Sequence, residues 1–600
     1  MFNRWLKSNR AYQFDLTAPL FPAADDREFW DGRYSDEYVR RAESYLGYEW
    51  PMIRASQYMA YANEGNRRAM EDPHFMRRSA LCALVLGEIA EHKGRFIPDI
   101  VDGMFAICEE SFWGVSAHSV CRNIPDGVES VRHIDLFAAE TGTLLAMTCY
   151  MLRSEFKKYC PEIITRCEIE LRRRITEPYA ARTDFFWMGY GYPVNNWNGW
   201  IISNVLTVYL LVENDKTKLS NAVNKMLSEI NRLYEAYPDD GGCDEGACYW
   251  TVSGGCIFEF CDLLYVASAG KINFFDDEKL RRIGKYIVRS YIGDGYFVNF
   301  ADGTPKVTHS TTGLFHMMGL RTGDADYLAL AGESLRCDPE RDNITPMVER
   351  DAKIKRRLYE MMYKADIANA PDLVLPETDI FEKLQVALLR DSGWTVAVKG
   401  GHNDENHNHN DVGSFIAYCD RTPVLVDPSC GTYVGASFQG NRFGIWTNRS
   451  DWHNTPEING EVQSEGKEYS ADLFSLDGKA GSVSFAGAYP ESARVSELSR
   501  SVVICDGCVV VKDSVILNGK GTVTENFITP YSVTVNDGRA VIDGRFVLEC
   551  DTHASVTADS VDFLGDDKLT LYWKSDDMKR VRFTFDVDGE VNVRFTLKRI

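Results

Sequence analysis

Apolar residues recur at three- and four-residue steps through most of residues 35–370, a spacing that predicts helices. The clearest stretches are FMRRSALCALVLGEIAEHKG, HIDLFAAETGTLLAMTCYMLRSEF, GWIISNVLTVYLLVEN and VSGGCIFEFCDLLYVASAG. Gly, Pro, Asn and Asp fill the connections, and no strong alternating pattern interrupts the run. The reading is an all-α region of about a dozen helices in antiparallel hairpins. After Pro371 the period shortens. Runs such as LQVALLRDSGWTVAVKG, SFIAYCDRTPVLVDP, SVVICDGCVVVKDSVIL and VRFTFDVDGEVNVRFTL are β-branched or aromatic, with Gly, Asp and Asn between them. They predict an antiparallel β-sandwich. The expected domains are 1–375, helical, and 376–600, sheet.

Length and composition agree with this division. A chain of 600 residues is too long for one core. With 44% hydrophobic and 26% charged residues it is an ordinary globular composition. No apolar run is long enough for a membrane span. The start, MFNRWLKSNRAYQFDL, has basic residues but no apolar segment behind them, so the expectation is a cytoplasmic protein without a secretory signal. The net charge of −22 argues against nucleic-acid or anionic-membrane partners, while leaving room for one anionic ligand in a locally basic cleft. Sixteen cysteines lie scattered without a disulfide framework and read as buried thiols. Cys505 and Cys508 have CxxC spacing, but Asp506-Gly507 between two valine-rich runs reads as a hairpin turn.

Chemistry concentrates just after the change of period. His402, His407, His409 and His453 lie within 52 residues, and Asp427 ends the apolar run VLVD between them. An unpaired carboxylate there is costly to bury, so a metal or an imidazolium partner is expected. Imidazole and carboxylate ligands suit zinc. Residues two apart on extended backbone share a face, which would turn both rings of His407-Asn408-His409 into one cleft. The bland reading is a solvated polar loop. In the helical half, YGYPVNNWNGW and DDGGCDEGACYW each open a helix with aromatic and amide or acidic side chains. Alone, Asn195 reads as an N-cap, Trp197 and Trp200 as core, and Tyr249 as structural. Together they read as one rim of a sugar cleft, to which Trp113 and His118 could add.

The segments NHNHNDVGSF, LVDPSCGTY and DWHNTP, with NNWN and DEGACYW, resemble the heparinase II/III-like polysaccharide lyases, and the likeness covers most of the chain. The resemblance implies a multidomain α+β fold, an incomplete (α/α) toroid followed by an antiparallel β-sandwich. It implies β-elimination at the 4-O-glycosidic bond of a uronic acid, in glycosaminoglycans such as hyaluronan, chondroitin or heparosan, or their oligosaccharides. Alginate is the alternative substrate. Carried over by position, Tyr249 acts as base, acid or both, Asn196 bonds the uronate carboxylate, and His407 assists. Asn195, Trp197, Trp113, Glu245, His402 and Arg442 are the expected substrate-binding residues. His409, Asp427 and His453 would hold a mainly structural metal, zinc or another divalent ion such as manganese. Several members carry a second catalytic histidine immediately after that asparagine, where this chain has Trp197. With fewer proton-transfer groups, Tyr249 is expected to serve as both base and acid, favouring syn elimination at glucuronate over its C5 epimer. A phenol is weakly acidic, so Tyr249 needs a nearby cation or strong donor. Arg77, Arg78, Arg122, Arg132, Arg442 and Arg449 are available by composition.

Other classes stay open on sequence. A toroid glycoside hydrolase would pair Asp244 or Glu245 with Asp239 or Asp240. A non-catalytic glycan-binding protein would keep the cleft without turnover, and an epimerase would exchange the C5 proton without cleavage. A homo-oligomer is compatible with all of these.

Overall fold

A computed structural model describes residues 1–9, 14–33, 36–307, 310–337, 352–433 and 442–600. The order of elements is the expected one: helices first, antiparallel sheets after. No helix among the described residues is long and apolar enough to cross a membrane.

The first compact unit comprises Met1–Tyr237, Thr251–Gly284 and Thr308–Leu373. Its helices begin where polar side chains can cap them. Asp135 accepts from Ala138 N ahead of Leu136–Met151, Asn195 from Trp197 N ahead of Asn196–Val212, and Asp215 from Thr217 N ahead of Lys216–Ala236. Asn196–Val212 is apolar on nearly every side because three helices surround it: Leu136–Met151, Lys216–Ala236 and Gly254–Ala267.

The second unit comprises Pro238–Trp250, Lys285–Val307 and Val374–Ile600. The expected single break near 375 is therefore only its last boundary. Two segments of the helical half belong with the sheets. Lys285–Val307 carries a small hairpin, Tyr291–Gly293 paired with Tyr296–Phe297. Arg289 fastens it with a two-pronged contact to Asp379, at 2.8 and 2.5 Å. Pro238–Trp250 is held by Asp240, which accepts Lys383 N at 2.7 Å, and by Asp244, which accepts Asn406 Nδ2 at 2.7 Å. These anchors are isolated polar side-chain contacts, so hydrophobic periodicity could not show them.

The sheets are fully antiparallel. Thr378–Phe381, Val386–Asp391, Trp394–Lys399, Phe415–Cys419 and Thr422–Leu425 form a five-stranded sheet in chain order. A ten-stranded sheet is built around the long partners Cys508–Thr529 and Asp577–Arg599. Val396, Val398 and Phe415 of the smaller sheet share one core with Val502, Val511, Phe527 and Phe583 of the larger. Cys505 and Cys508 face each other across a two-residue turn with Asp506 at φ 52° and Gly507 at φ 71°, the hairpin that the sequence predicts. None of the sixteen cysteines forms a disulfide.

One charged group sits inside this core. Arg500 is fully buried, forks onto Asp513 at 2.8 Å through two nitrogens, and meets Glu525 at 2.8 Å. It also donates to Gly413 O at 2.9 Å, tying the large sheet to the loop below the histidine block. Burial, with Asp513 alongside, pushes the Glu525 carboxyl well above its ordinary range. Arg500→Met leaves two carboxylates buried without their cation, and is expected to cost about 3–5 kcal/mol. Denaturant unfolding measures it. A loss under about 1 kcal/mol, the scale of an exposed pair, would show the trio to be unimportant.

Candidate active site

Tyr249 lies on the short helix Gly246–Trp250. Gly246 starts this helix at φ 86°, and an added Cβ would approach Phe300 O at 3.0 Å and Gly303 Cα at 3.2 Å. Only glycine lets the Tyr249 segment press so closely on residues 300–303. Between those residues Ala301 takes a left-handed φ of 64°, and on the other side of the site His407 takes one of 57°. Such conformations cost L residues on the order of 1 kcal/mol each and persist where their surroundings fix them. Here both flank one carboxylate, Asp302.

Asp302 organises the site. Its side chain is 1% exposed. Oδ2 meets His407 Nδ1 at 2.7 Å and the Tyr433 hydroxyl at 2.8 Å. Oδ1 meets His409 Nε2 at 3.0 Å and Arg442 Nη2 at 2.7 Å. The Asp302 amide donates to His407 O at 3.0 Å, which locks the two loops together. Burial alone would raise this carboxyl, but the contacts with His407 and His409 outweigh it and hold it well below the usual carboxylate range. For His407 burial favours loss of the proton, and the ionised Asp302 overrides it, raising the imidazole. Its Nε2 has no hydrogen-bond partner among the described residues, and the ring is half-buried.

The two phenols complete the chain. The Tyr249 and Tyr433 hydroxyls are 2.5 Å apart, and the Tyr249 ring stacks on His407 at 4.4 Å. Tyr433 donates to Asp302, so its oxygen is left to accept from Tyr249. Burial, followed by the charge of Asp302, raises Tyr249 well above the ordinary phenol value; burial raises Tyr433 likewise. Of the candidate arginines, Arg442 reaches the site, where it binds Asp302. The other arginines are engaged elsewhere or exposed: Arg77 and Arg78 both bind buried Glu110, Arg449 binds Asp451, and Arg122 and Arg132 are exposed in the first unit.

Beside this network His409, Asp427 and His453 are all buried, with ligand-type atoms within 4.8 Å of one another. Asp427 finds the imidazole partner its position demands, His453 Nδ1 at 3.0 Å. Among the described residues, His409 Nδ1 and His453 Nε2 are buried without a hydrogen-bond partner. Orphaned buried nitrogens are uncommon, and two of them next to a carboxylate make the N, N, O donor set of a zinc site. The residues fit a metal. Asn454, next to His453, ties the strand ends together: it donates to Phe415 O and Val426 O and accepts from Ile528 N.

The remaining expected residues separate into two groups. Glu245 is buried, and its charge favours the protonated form of His407. His402 is half-buried and its Nδ1 accepts from Asp404 N at 3.2 Å, a turn contact. Asn195, Asn196, Trp197 and Trp113 lie in the first unit. Asn195 is the N-cap of its helix, and Asn196 is buried in the first turn. Trp197 is half-buried between Phe186 and His118. Trp113 is corrected: it is 1% exposed, donates to Ile107 O at 2.8 Å and lies under the Arg174 guanidinium, so it is core and cannot face a sugar. Asp302 and Tyr433 were missed. Asp302 sits in NFADGTPK, which reads as a turn, and Tyr433 ends LVDPSCGTY, where Asp427 drew attention instead.

Residues 379–595 match the family model described as Heparinase II/III-like, C-terminal. No curated protein matches the sequence. Among solved structures, a heparinase III aligns with a TM-score of 0.64 and 12% identity, over 100% of this chain and 89% of that one. The heparan sulfate lyase HepC from Pedobacter heparinus gives 0.56 and 11%, over 100% and 87%. A mutant of chondroitin AC lyase from Streptomyces coelicolor A3 gives 0.51 and 12%, over 100% and 82%. At these identities the likeness is one of fold.

Proposed function

For a chain that carries the heparinase II/III-like C-terminal domain on the fold of heparinase III, we propose the activity of a polysaccharide lyase, cleaving uronate-containing glycosaminoglycans or their oligosaccharides by β-elimination. The observation that carries this reading is the hydrogen-bonded run Tyr249–Tyr433–Asp302–His407. The C5 proton of a uronate is weakly acidic, and its removal builds negative charge on the carboxylate. Tyr249 removes the proton as a phenolate, its own proton having gone to solvent, while the Tyr433 hydroxyl turns its single hydrogen from Asp302 to that phenolate. Tyr249 then returns the proton to the departing O4, acting as base and acid on one face of the ring. His407, held by Asp302 at Nδ1, presents Nε2 to the substrate. Asn196 is proposed as the amide that bonds the uronate carboxylate, from the sequence resemblance. Two of the four carboxylates a hydrolase could pair are engaged in loop contacts: Asp240 caps Gly242 and binds Lys383 N, and Asp244 binds Asn406.

We further propose that His409, Asp427 and His453 hold zinc. Bound there, the ion would supply a fixed anchor for the loop that bears His407. His409 already passes its other nitrogen to Asp302, the carboxylate–histidine arrangement that orients metal ligands. Purified protein is expected to contain one zinc per chain by elemental analysis, and a chelator to lower its melting temperature by several degrees. Protein without metal whose melting is indifferent to both chelator and added zinc would remove this part of the proposal.

Ultraviolet absorbance of the new conjugated double bond tests the reaction on heparosan, hyaluronan, chondroitin and alginate oligosaccharides. Absorbance should rise with a glucuronate substrate and more slowly with its iduronate counterpart. Equal rates on the two epimers would discard syn elimination by Tyr249 alone. Binding without any absorbance, unchanged in Tyr249→Phe, would identify a glycan-binding protein.

A further inference from the structure

The short helix Asp567–Trp573 is fastened at both ends to the loop that carries Tyr433. Its capping residue Asp566 accepts Thr432 N at 2.6 Å and the Thr432 hydroxyl at 3.1 Å. Trp573 Nε1 donates to Pro428 O at 3.0 Å. The approach is tight, since a Cβ added to Gly431 would come within 2.7 Å of Asp566 Oδ2. This clamp fixes where Lys568 points. Its Nζ lies 3.1 Å from Cys430 Sγ and 3.4 Å from Gly431 O, and 5.3 Å from the centre of the Tyr433 ring.

Lys568 has no carboxylate within ion-pair distance among the described residues. A lysine amine is an ammonium near neutral pH by its ordinary value; burial works against that charge, and Cys430 and Tyr572 raise the amine only once they ionise. Burial in turn raises the Cys430 thiol, so the sulfur is no anion to balance it. An ammonium set against a thiol and an aromatic ring is an uncompensated charge, which folding alone gives no reason to place there. The neighbours that can take negative charge are the Tyr249 and Tyr433 hydroxyls. The charged and titratable groups facing that pair are Asp302, Cys430, Cys248, His407, Arg442 and Lys568. Asp302 opposes a phenolate there, and Arg442 is already spent on Asp302. Lys568 is the second cation facing the pair, and among the described residues no carboxylate lies within ion-pair distance of it.

We propose that Lys568 is a positioning residue for proton removal: its uncompensated ammonium, held beside the Tyr433 ring by Cys430 and Gly431, stabilises the phenolate that forms on the Tyr249–Tyr433 pair. One proton leaves the pair for solvent before turnover. The C5 proton replaces it on Tyr249 and then goes to O4, so the pair ends as it began. The use of this phenolate rests on the lyase reading, but its existence does not.

The test is a titration that needs no substrate. A fluorinated tyrosine, whose phenol is more acidic, is placed at position 249 and followed by fluorine NMR against pH. Lys568→Met is expected to move its ionisation up by about one to two pH units, and Lys568→Arg to keep it near the wild-type position. Lys568→Gln serves if the methionine variant does not fold. In the unlabelled enzyme the rising limb of the kcat–pH profile should move in the same direction in the neutral variants. An ionisation unchanged in a folded neutral variant overturns the proposal. A wild type that titrates as expected, shifts with Lys568→Met, yet cleaves no uronate glycan overturns the lyase reading and leaves this role for Lys568 standing.

Discussion

Tyr249→Phe is expected to lower kcat by about 10²–10⁴-fold while the fold and the binding of substrate stay close to wild type. The variant removes one oxygen. It keeps the ring that stacks on His407 at 4.4 Å, and Tyr433 keeps its bond to Asp302. What is lost is the only group in the hydroxyl run whose oxygen does not already touch Asp302, the one left to meet a sugar. The phenylalanine variant should therefore lose turnover without gaining KM, the pattern of an interaction made in the transition state. A variant that kept most of its kcat would move the base elsewhere.

Asp302→Asn should be nearly as damaging to turnover and much more damaging to the fold. Four donors converge on this carboxylate, two on each oxygen. An amide presents one acceptor oxygen and turns an NH2 toward the rest, so two of the four donors face another donor. The cost expected for breaking such a buried charged cluster is about 3–5 kcal/mol. Activity should fall by at least about 10²-fold, because His407, Tyr433 and Arg442 lose their common anchor together. Unfolding experiments and kinetics at a temperature where the variant is folded separate the two effects. A stable variant with normal activity would mean that the four contacts do not act as a unit.

Much of this molecule is legible in the chain, and the part that is not has one physical cause. Helices and strands declare themselves by period, because burial of Leu206 or Val511 is repeated at every turn or every second residue. His409, Asp427 and His453 were visible because charged and imidazole groups in apolar surroundings are costly without a purpose. Asp302 had no such mark. It follows Ala301 in a loop rich in Gly and Pro, and its burial comes from contacts more than a hundred residues away. The sequence predicts extended backbone for the histidine pair, yet His407 is left-handed. The two rings still converge, on the two oxygens of Asp302 instead of on one open cleft. Tyr433 and Lys568 are placed by the clamps at Asp566 and Trp573, which no local pattern encodes.

The most direct test weighs the products. Elimination conserves mass: the two fragments of a uronate oligosaccharide should sum to the mass of the substrate, with the unsaturated sugar at one new end. Digestion of a heparosan or chondroitin oligosaccharide by the wild type, analysed by mass spectrometry, is expected to give that sum, and Tyr249→Phe to give intact substrate. Fragments heavier by one water, formed equally by Tyr249→Phe, would contradict the elimination chemistry proposed for this site.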